Sequence, residues 1–148
     1  RVYTPKALVD RALQDLETVR PDAFGNPTYT FCDTMCGNGK FLISILEKKI
    51  ANGIDKKSAL KTIYGVELDP ESVEECKDNL LNGDESLRYI VDENIVCHDA
   101  LTYDFSFNGT NQTKIEGGNA GKTIAQHSPR SSWASGAFVD HVAEVQRD

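Results

Sequence analysis

The sequence predicts an α/β fold, a parallel sheet joined by crossover helices. Three observations predict it. Short β-prone apolar runs alternate with longer runs of helical spacing. Each of three such strands runs into an acid: Asp33, Glu67 and Asp99. Between the first strand and its helix stands Gly37-Asn38-Gly39, a turn with little side-chain bulk. Ligands of parallel sheets sit outside the carboxyl ends of the strands, which is where the three acids fall. A helix N-terminus reached through glycines lets a ligand approach the backbone closely.

The elements follow in order. Thr4-Pro5 opens a helix, with Thr4 as N-cap and Pro5 at the first helical position. Leu8, Ala12, Leu13, Leu16 and Val19 then recur on one face. Pro21 and the run Gly25-Asn26-Pro27 break it. Strand one covers Thr28 to Cys32 and ends in Asp33. The next helix runs from Lys40 to Ala51, carries Phe41, Leu42, Ile45, Leu46 and Ile50, and stops at Asn52-Gly53. Asp55 caps a short helix through Leu60. Strand two is Thr62 to Val66, followed by Glu67. Asp69-Pro70 starts a helix with Val73, Cys76 and Leu80 inward, and Asn82-Gly83 ends it. A short helix or turn surrounds Ser86 to Val91, and strand three is Asn94 to Cys97. Tyr103 to Phe107 is a short candidate fourth strand. Beyond it the chain turns polar and glycine-rich, until Phe138, Val142 and Val145 mark a helical pattern over Ala137 to Gln146.

Composition bounds the function. A chain of 148 residues, 39% hydrophobic and 26% charged, suits one globular domain. No apolar run approaches the roughly 20 residues of a membrane span. The four cysteines lack metal-ligand spacing and read as small buried thiols, consistent with a reducing cytoplasm. Net charge is −7, and residues 106–148 are neutral, so residues 1–105 carry all of it. Such a body lacks the basic patch with which a stand-alone protein contacts nucleic-acid phosphates.

The ligand is read from the strand ends. A dinucleotide fingerprint fails at its third glycine, where Leu42 stands, and Glu67 follows Gly39 by 28 residues, against about 20 for the ribose-binding acid of that motif. A ribose without a pyrophosphate fits better. Glu67 can accept from two ribose hydroxyls, Asp99 from an adenine amino group, and Asp33 with the backbone near Gly37 can face an amino-acid head group. Together these needs describe S-adenosylmethionine (SAM). The run Glu116 to Thr123 ends like a P-loop but lacks its first glycine and reads as a linker. Trp133 reads as an anchor for the tail.

These residues also carry a resemblance. Asp33-Thr34-Met35-Cys36-Gly37-Asn38-Gly39-Lys40-Phe41-Leu42 resembles motif I of the class I SAM-dependent methyltransferases, in its amino-methyltransferase form. Gly65-Val66-Glu67-Leu68-Asp69-Pro70 resembles motif II, and Cys97-His98-Asp99-Ala100-Leu101 motif III. Tyr3-Thr4-Pro5 is similar to motif X of the N6-adenine DNA methyltransferases. The resemblance covers about residues 3–105 and implies a Rossmann-like fold. It implies that Tyr3, Thr4 and Pro5 lie near the methionine moiety and that Asp33, Cys36, Gly37, Gly39 and Phe41 belong to the cofactor loop. It further implies that Glu67 binds the ribose, Leu68 packs on the adenine, and Asp99, followed by Ala100, binds the adenine amino group.

The resemblance stops at the acceptor. Members that methylate amines carry (Asp/Asn)-Pro-Pro-(Tyr/Phe) after strand four, which aims the amine lone pair at the methyl group and stacks the flipped base. No such tetrapeptide occurs here; Asn108, after Phe107, is the nearest positional match for a catalytic residue. The family sheet has seven strands, so this one reads as truncated. Residues 1–107 form the SAM-binding domain, and 108–148 a glycine-rich loop and tail packed on it or on a partner. If Tyr103 to Phe107 does not pair beside strand one, that strand is an open edge, and the tail or another subunit, in a homo-oligomer or with a partner chain, is expected to cover it. The expected activity is methyl transfer to adenine N6 in DNA. A SAM-binding module without transfer, or an enzyme consuming SAM by cleavage, are the alternatives.

Overall fold

The computed structural model describes residues 4–108 and the backbone of 137–139. Tyr3, the run 116–123, Trp133 and the helical pattern beyond Val139 lie outside the described residues. The fold is α/β. Helix α1 (Lys6–Val19) leads to β1 (Phe31–Asp33), α2 (Lys40–Ala51), α3 (Lys56–Leu60) and β2 (Ile63–Glu67). Then follow α4 (Pro70–Leu81), a 3-10 turn (Glu85–Leu87), α5 (Arg88–Asn94), β3 (Ile95–Cys97) and β4 (Ala137–Val139). The four strands form one sheet in the order β3-β2-β1-β4, every pair parallel.

Pleating sorts the strand residues between two faces. Phe31, Ile63 and Ile95 point to the face that α1, α2, α4 and α5 cover, and there they join the main core with Leu42, Ile45 and Leu80. Cys32, Val66 and Val96 point the other way, into a second cluster with Tyr103, Phe105 and Phe107. From β1 the chain steps outward to β2 and β3, and β4 then pairs on the opposite side of β1. The winding therefore reverses between β1 and β4, and such a reversal leaves a crevice above the carboxyl ends of the strands.

The helix boundaries follow local chemistry. Asp69 caps α4 by accepting from Ser72 N at 3.0 Å, with Pro70 opening the helix and Asn82 ending it in the left-handed region. Asp55 caps α3 in the same way through Ser58 N.

Four expectations change. Pro5, not Thr4, is the N-cap of α1, and its carbonyl accepts from Leu8 N and Val9 N, so no side-chain cap is used. β1 starts at Phe31, because Asn26 Oδ1 accepts from both the amide and the hydroxyl of Thr28 and holds the chain in a turn. Tyr103 to Phe107 is not a strand. Phe105 and Phe107 have φ of 57° and 44°, outside the extended region, and Phe107 N donates to the Tyr103 hydroxyl at 2.8 Å. Ala137–Val139, expected to be helical, is instead the strand that covers the free edge of β1, with Phe31, Cys32 and Asp33 opposite Ala137, Phe138 and Val139. The tail thus covers the edge that the sequence left open. Among the described residues no helix is long and apolar enough to cross a membrane.

Candidate functional site

The site is built where β1, β2 and β3 end. Asp33 closes β1, 1% exposed, and its Oδ1 accepts from Met35 N at 3.0 Å, which turns the chain sharply. Cys36 N then donates to Val66 O at 3.0 Å and Gly39 N to Cys36 O at 2.8 Å, so the loop folds back over β2. Gly37 and Gly39 take positive φ, 53° and 96°. At Gly39 a side chain is excluded twice, because a Cβ would stand 2.9 Å from Cys76 Sγ of α4. The bare side of Gly39 therefore faces the protein. Gly65 in β2 does the same work from below, for a Cβ there would meet Cys36 Sγ at 2.8 Å and Leu42 Cδ1 at 2.9 Å.

Glu67 joins the pieces. It ends β2 on the helix-covered face, 6% exposed. One carboxylate oxygen accepts from Gly37 N at 2.9 Å and the other from Asp69 N at 2.9 Å. Its backbone carbonyl accepts from His98 N at 3.0 Å. One residue so ties the β1 loop, the start of α4 and the end of β3. Cys97 Sγ donates to Leu68 O at 3.4 Å and adds a second link between β3 and β2. Beyond β3, Asp99 is exposed and its Oδ1 accepts from Leu101 N at 2.9 Å. His98 Nδ1 lies 3.1 Å from Asp99 O, and since a carbonyl only accepts, Nδ1 carries the hydrogen.

No family model and no curated protein matches this chain. Its chemistry is therefore read from its own residues. The structure brings Asp33, Cys36, Gly37, Gly39 and Glu67 together, with Leu68, Asp99 and Ala100 at the neighbouring strand ends. Phe41 is not in the opening; it is 3% exposed and packs in the main core. Thr4 and Pro5 stand at the start of α1, and Asn108 is an exposed residue after the folded-back aromatic segment rather than at a strand end. The ground for giving Asn108 a catalytic place was a strand that does not form.

The Cys36 thiol is raised well above the usual range by its hydrogen bond to Cys76 and by burial, with Asp33 and Glu67 adding to it. It is a packing group, not a nucleophile. Three exposed apolar side chains, Met35 (57%), Leu68 (67%) and Leu101 (91%), follow the three strand ends. The rim is thus apolar and the floor carboxylate.

The sequence places Gly65 in the motif II stretch and Cys76 on the inward face of its helix, but it gives neither of them, nor the backbone of His98, a role in shaping the site. A glycine inside a strand is the available signal for close approach. Nothing in the sequence marks Cys76 as the residue that requires Gly39.

Proposed function

We propose that this chain is the cofactor-binding part of a SAM-dependent methyltransferase with a Rossmann-like fold, acting on adenine N6 in DNA. The observation that carries the cofactor reading is the bond from Gly37 N to Glu67 Oε1. It sets the acid of β2 against the glycine loop of β1, beside the point where the strand order reverses. Strand order 3-2-1-4, all parallel, agrees with one half of a doubly wound nucleotide-binding sheet. On this reading the Glu67 carboxylate, set against the glycine loop, is the acceptor for ribose hydroxyls, Leu68 offers an apolar face, and Asp99 an acceptor for an amino group.

The loop departs from the dinucleotide fingerprint at its third glycine, where Leu42 stands, and the amides of Met35, Cys36, Gly37 and Gly39 donate within the protein.

With β4 at Ala137–Val139, the stretch that follows the fourth strand in the chain is Asp140-His141, without the paired prolines of the amine-methylating motif. That absence favours a second reading, a SAM-binding module whose transfer function comes from a partner. The charge of −7 points the same way, since the partner would supply the cationic DNA surface.

Incubation with methyl-labelled SAM, with and without DNA, tests both. Label in DNA supports transfer. Calorimetric binding of SAM without label transfer supports the module. Absence of SAM binding rejects both, and loss of SAM without an acceptor points to cleavage.

A further inference from the structure

We infer that Asn79, in the last turn of α4, is a positioning residue for the glycine loop: it latches the peptide between Asn38 and Gly39 and so keeps the loop in shape for its ligand. The ligand part of the inference rests on the SAM reading above, and the latch rests on geometry alone.

The Asn79 carboxamide donates from Nδ2 to Asn38 O at 3.0 Å, across 41 residues of chain. A backbone carbonyl only accepts, so the side-chain nitrogen must face it. The other side of the same peptide is also held, because Gly39 N donates to Cys36 O at 2.8 Å. A trans peptide is a rigid plane with its C=O and N–H on opposite sides. One partner on each side therefore fixes the rotation of the plane. Rotation is otherwise easy, since the amide belongs to Gly39, at φ 96° and with no Cβ to bar it.

The residues on either side are anchored from the same unit. Gly37 N donates to Glu67, which also holds Asp69 N at the start of α4, and Gly39 lies against Cys76. Cys76 and Asn79 are one turn apart and share a face of α4. The polar residues between them are paired elsewhere, Lys77 with Asp92 at 3.3 Å and Asp78 with Arg88 at 2.7 Å. Helix propensity does not account for Asn79, since Asn is a poorer helix former than Ala. Without the latch the plane turns more freely, and a ligand that needs the loop must order it on binding. That cost appears as lost affinity.

The test is Asn79→Ala in the intact chain, read three ways. The side chain is exposed, and the bond lost is offset by the better helix former gained, so the denaturation midpoint should stay near that of wild type. Hydrogen exchange of the Gly39 amide, followed by NMR without ligand, should quicken about fivefold, the equivalent of about 1 kcal/mol for one hydrogen bond. Calorimetry should show SAM bound about fivefold more weakly. Unchanged exchange at Gly39 overturns the latch. A lowered midpoint with exchange faster throughout the sheet gives Asn79 a merely structural role and overturns it too. Faster exchange at Gly39 with SAM bound equally by both proteins overturns the positioning role and leaves the SAM reading standing. Faster exchange at Gly39 with SAM bound by neither protein leaves the latch standing and overturns the SAM reading.

Discussion

Gly37 and Glu67, thirty residues apart in the chain, are joined by a buried hydrogen bond of 2.9 Å from the glycine amide to a carboxylate oxygen. The other oxygen holds Asp69 N. The acid is thus a bridge in the fold before it is a ligand for anything else. Its two roles predict different outcomes for two acids of the same site.

Glu67→Gln should destabilise the protein even though it keeps size and shape. A carboxylate accepts from two amides, whereas a carboxamide turns an NH2 toward one of them. A buried donor left facing a donor costs about 1–3 kcal/mol. Asp99→Ala removes an exposed acceptor and should change stability by less than about 0.5 kcal/mol. On the proposed function, both should weaken SAM binding. Chemical denaturation beside calorimetry separates the effects, and an unchanged midpoint for Glu67→Gln would show that the bridge is dispensable.

Gly39→Ala should cost more than a loop glycine usually does. The new methyl meets Cys76 Sγ at 2.9 Å, and the backbone stays at φ 96°. Overpacking adds about 1–3 kcal/mol, and the left-handed conformation about 1–2 kcal/mol. Cys76→Ala relieves the first term only. In that background the cost of Gly39→Ala should fall to roughly the conformational term, about 1–2 kcal/mol. Equal costs in the two backgrounds would show that α4 yields freely.

Much of the fold was legible because its signals are local. Lys40–Ala51 and Pro70–Leu81 carry helical spacing, and Asp69, Pro70 and Asn82 punctuate the second of them within a few residues. The three acids mark the strand ends because each stands next to its strand in the chain. What was not legible depends on distant partners. Ala137–Val139 has a helical-looking neighbourhood, and only pairing with β1 makes it a strand. Tyr103 to Phe107 looks extended, until three rings cluster over Cys32 and Val66 and draw the backbone into left-handed turns. The site divides in the same way. Glu67 was legible as an acceptor, while its commitment to Gly37 and Asp69 was visible only in three dimensions.

Tyr103→Phe tests that aromatic segment. The Tyr103 hydroxyl, its pKa pushed up to about 12 by burial, accepts from Phe107 N at 2.8 Å. Its ring packs 5.1 Å from the Phe107 ring and 5.1 Å from the His98 imidazole. Loss of the oxygen strands a buried amide in a residue that already sits at φ 44°. The expected loss is about 1–3 kcal/mol, seen as a lower denaturant midpoint at unchanged slope. No change in midpoint would mean that ring packing alone holds the segment.

Lys49 supplies a prediction in pH. It lies in α2 with no exposed surface, and its ammonium donates to Tyr29 O at 2.7 Å and stands 5.3 Å from the Phe31 ring centre. Burial pushes its pKa down to about 8 from 10.5. Below pH 8 the amine is charged in both folded and unfolded chains, and burial of that charge opposes folding by about 3 kcal/mol. Between pH 8 and 10.5 the folded chain gives up the proton while the unfolded chain keeps it. The unfolded state then binds more protons, so this residue makes stability rise with pH across that window. The thiols of Cys36 and Cys97, both pushed up, act in the opposite sense as pH passes about 8.5, because the unfolded chain loses those protons first. The total profile therefore mixes signs, and the contribution of Lys49 is isolated by difference. Lys49→Met keeps the volume and removes the titration. Denaturation of both proteins from pH 7.5 to 9.5 should show wild type gaining stability relative to Lys49→Met with each step. Parallel curves would place the Lys49 ammonium in water rather than under the sheet.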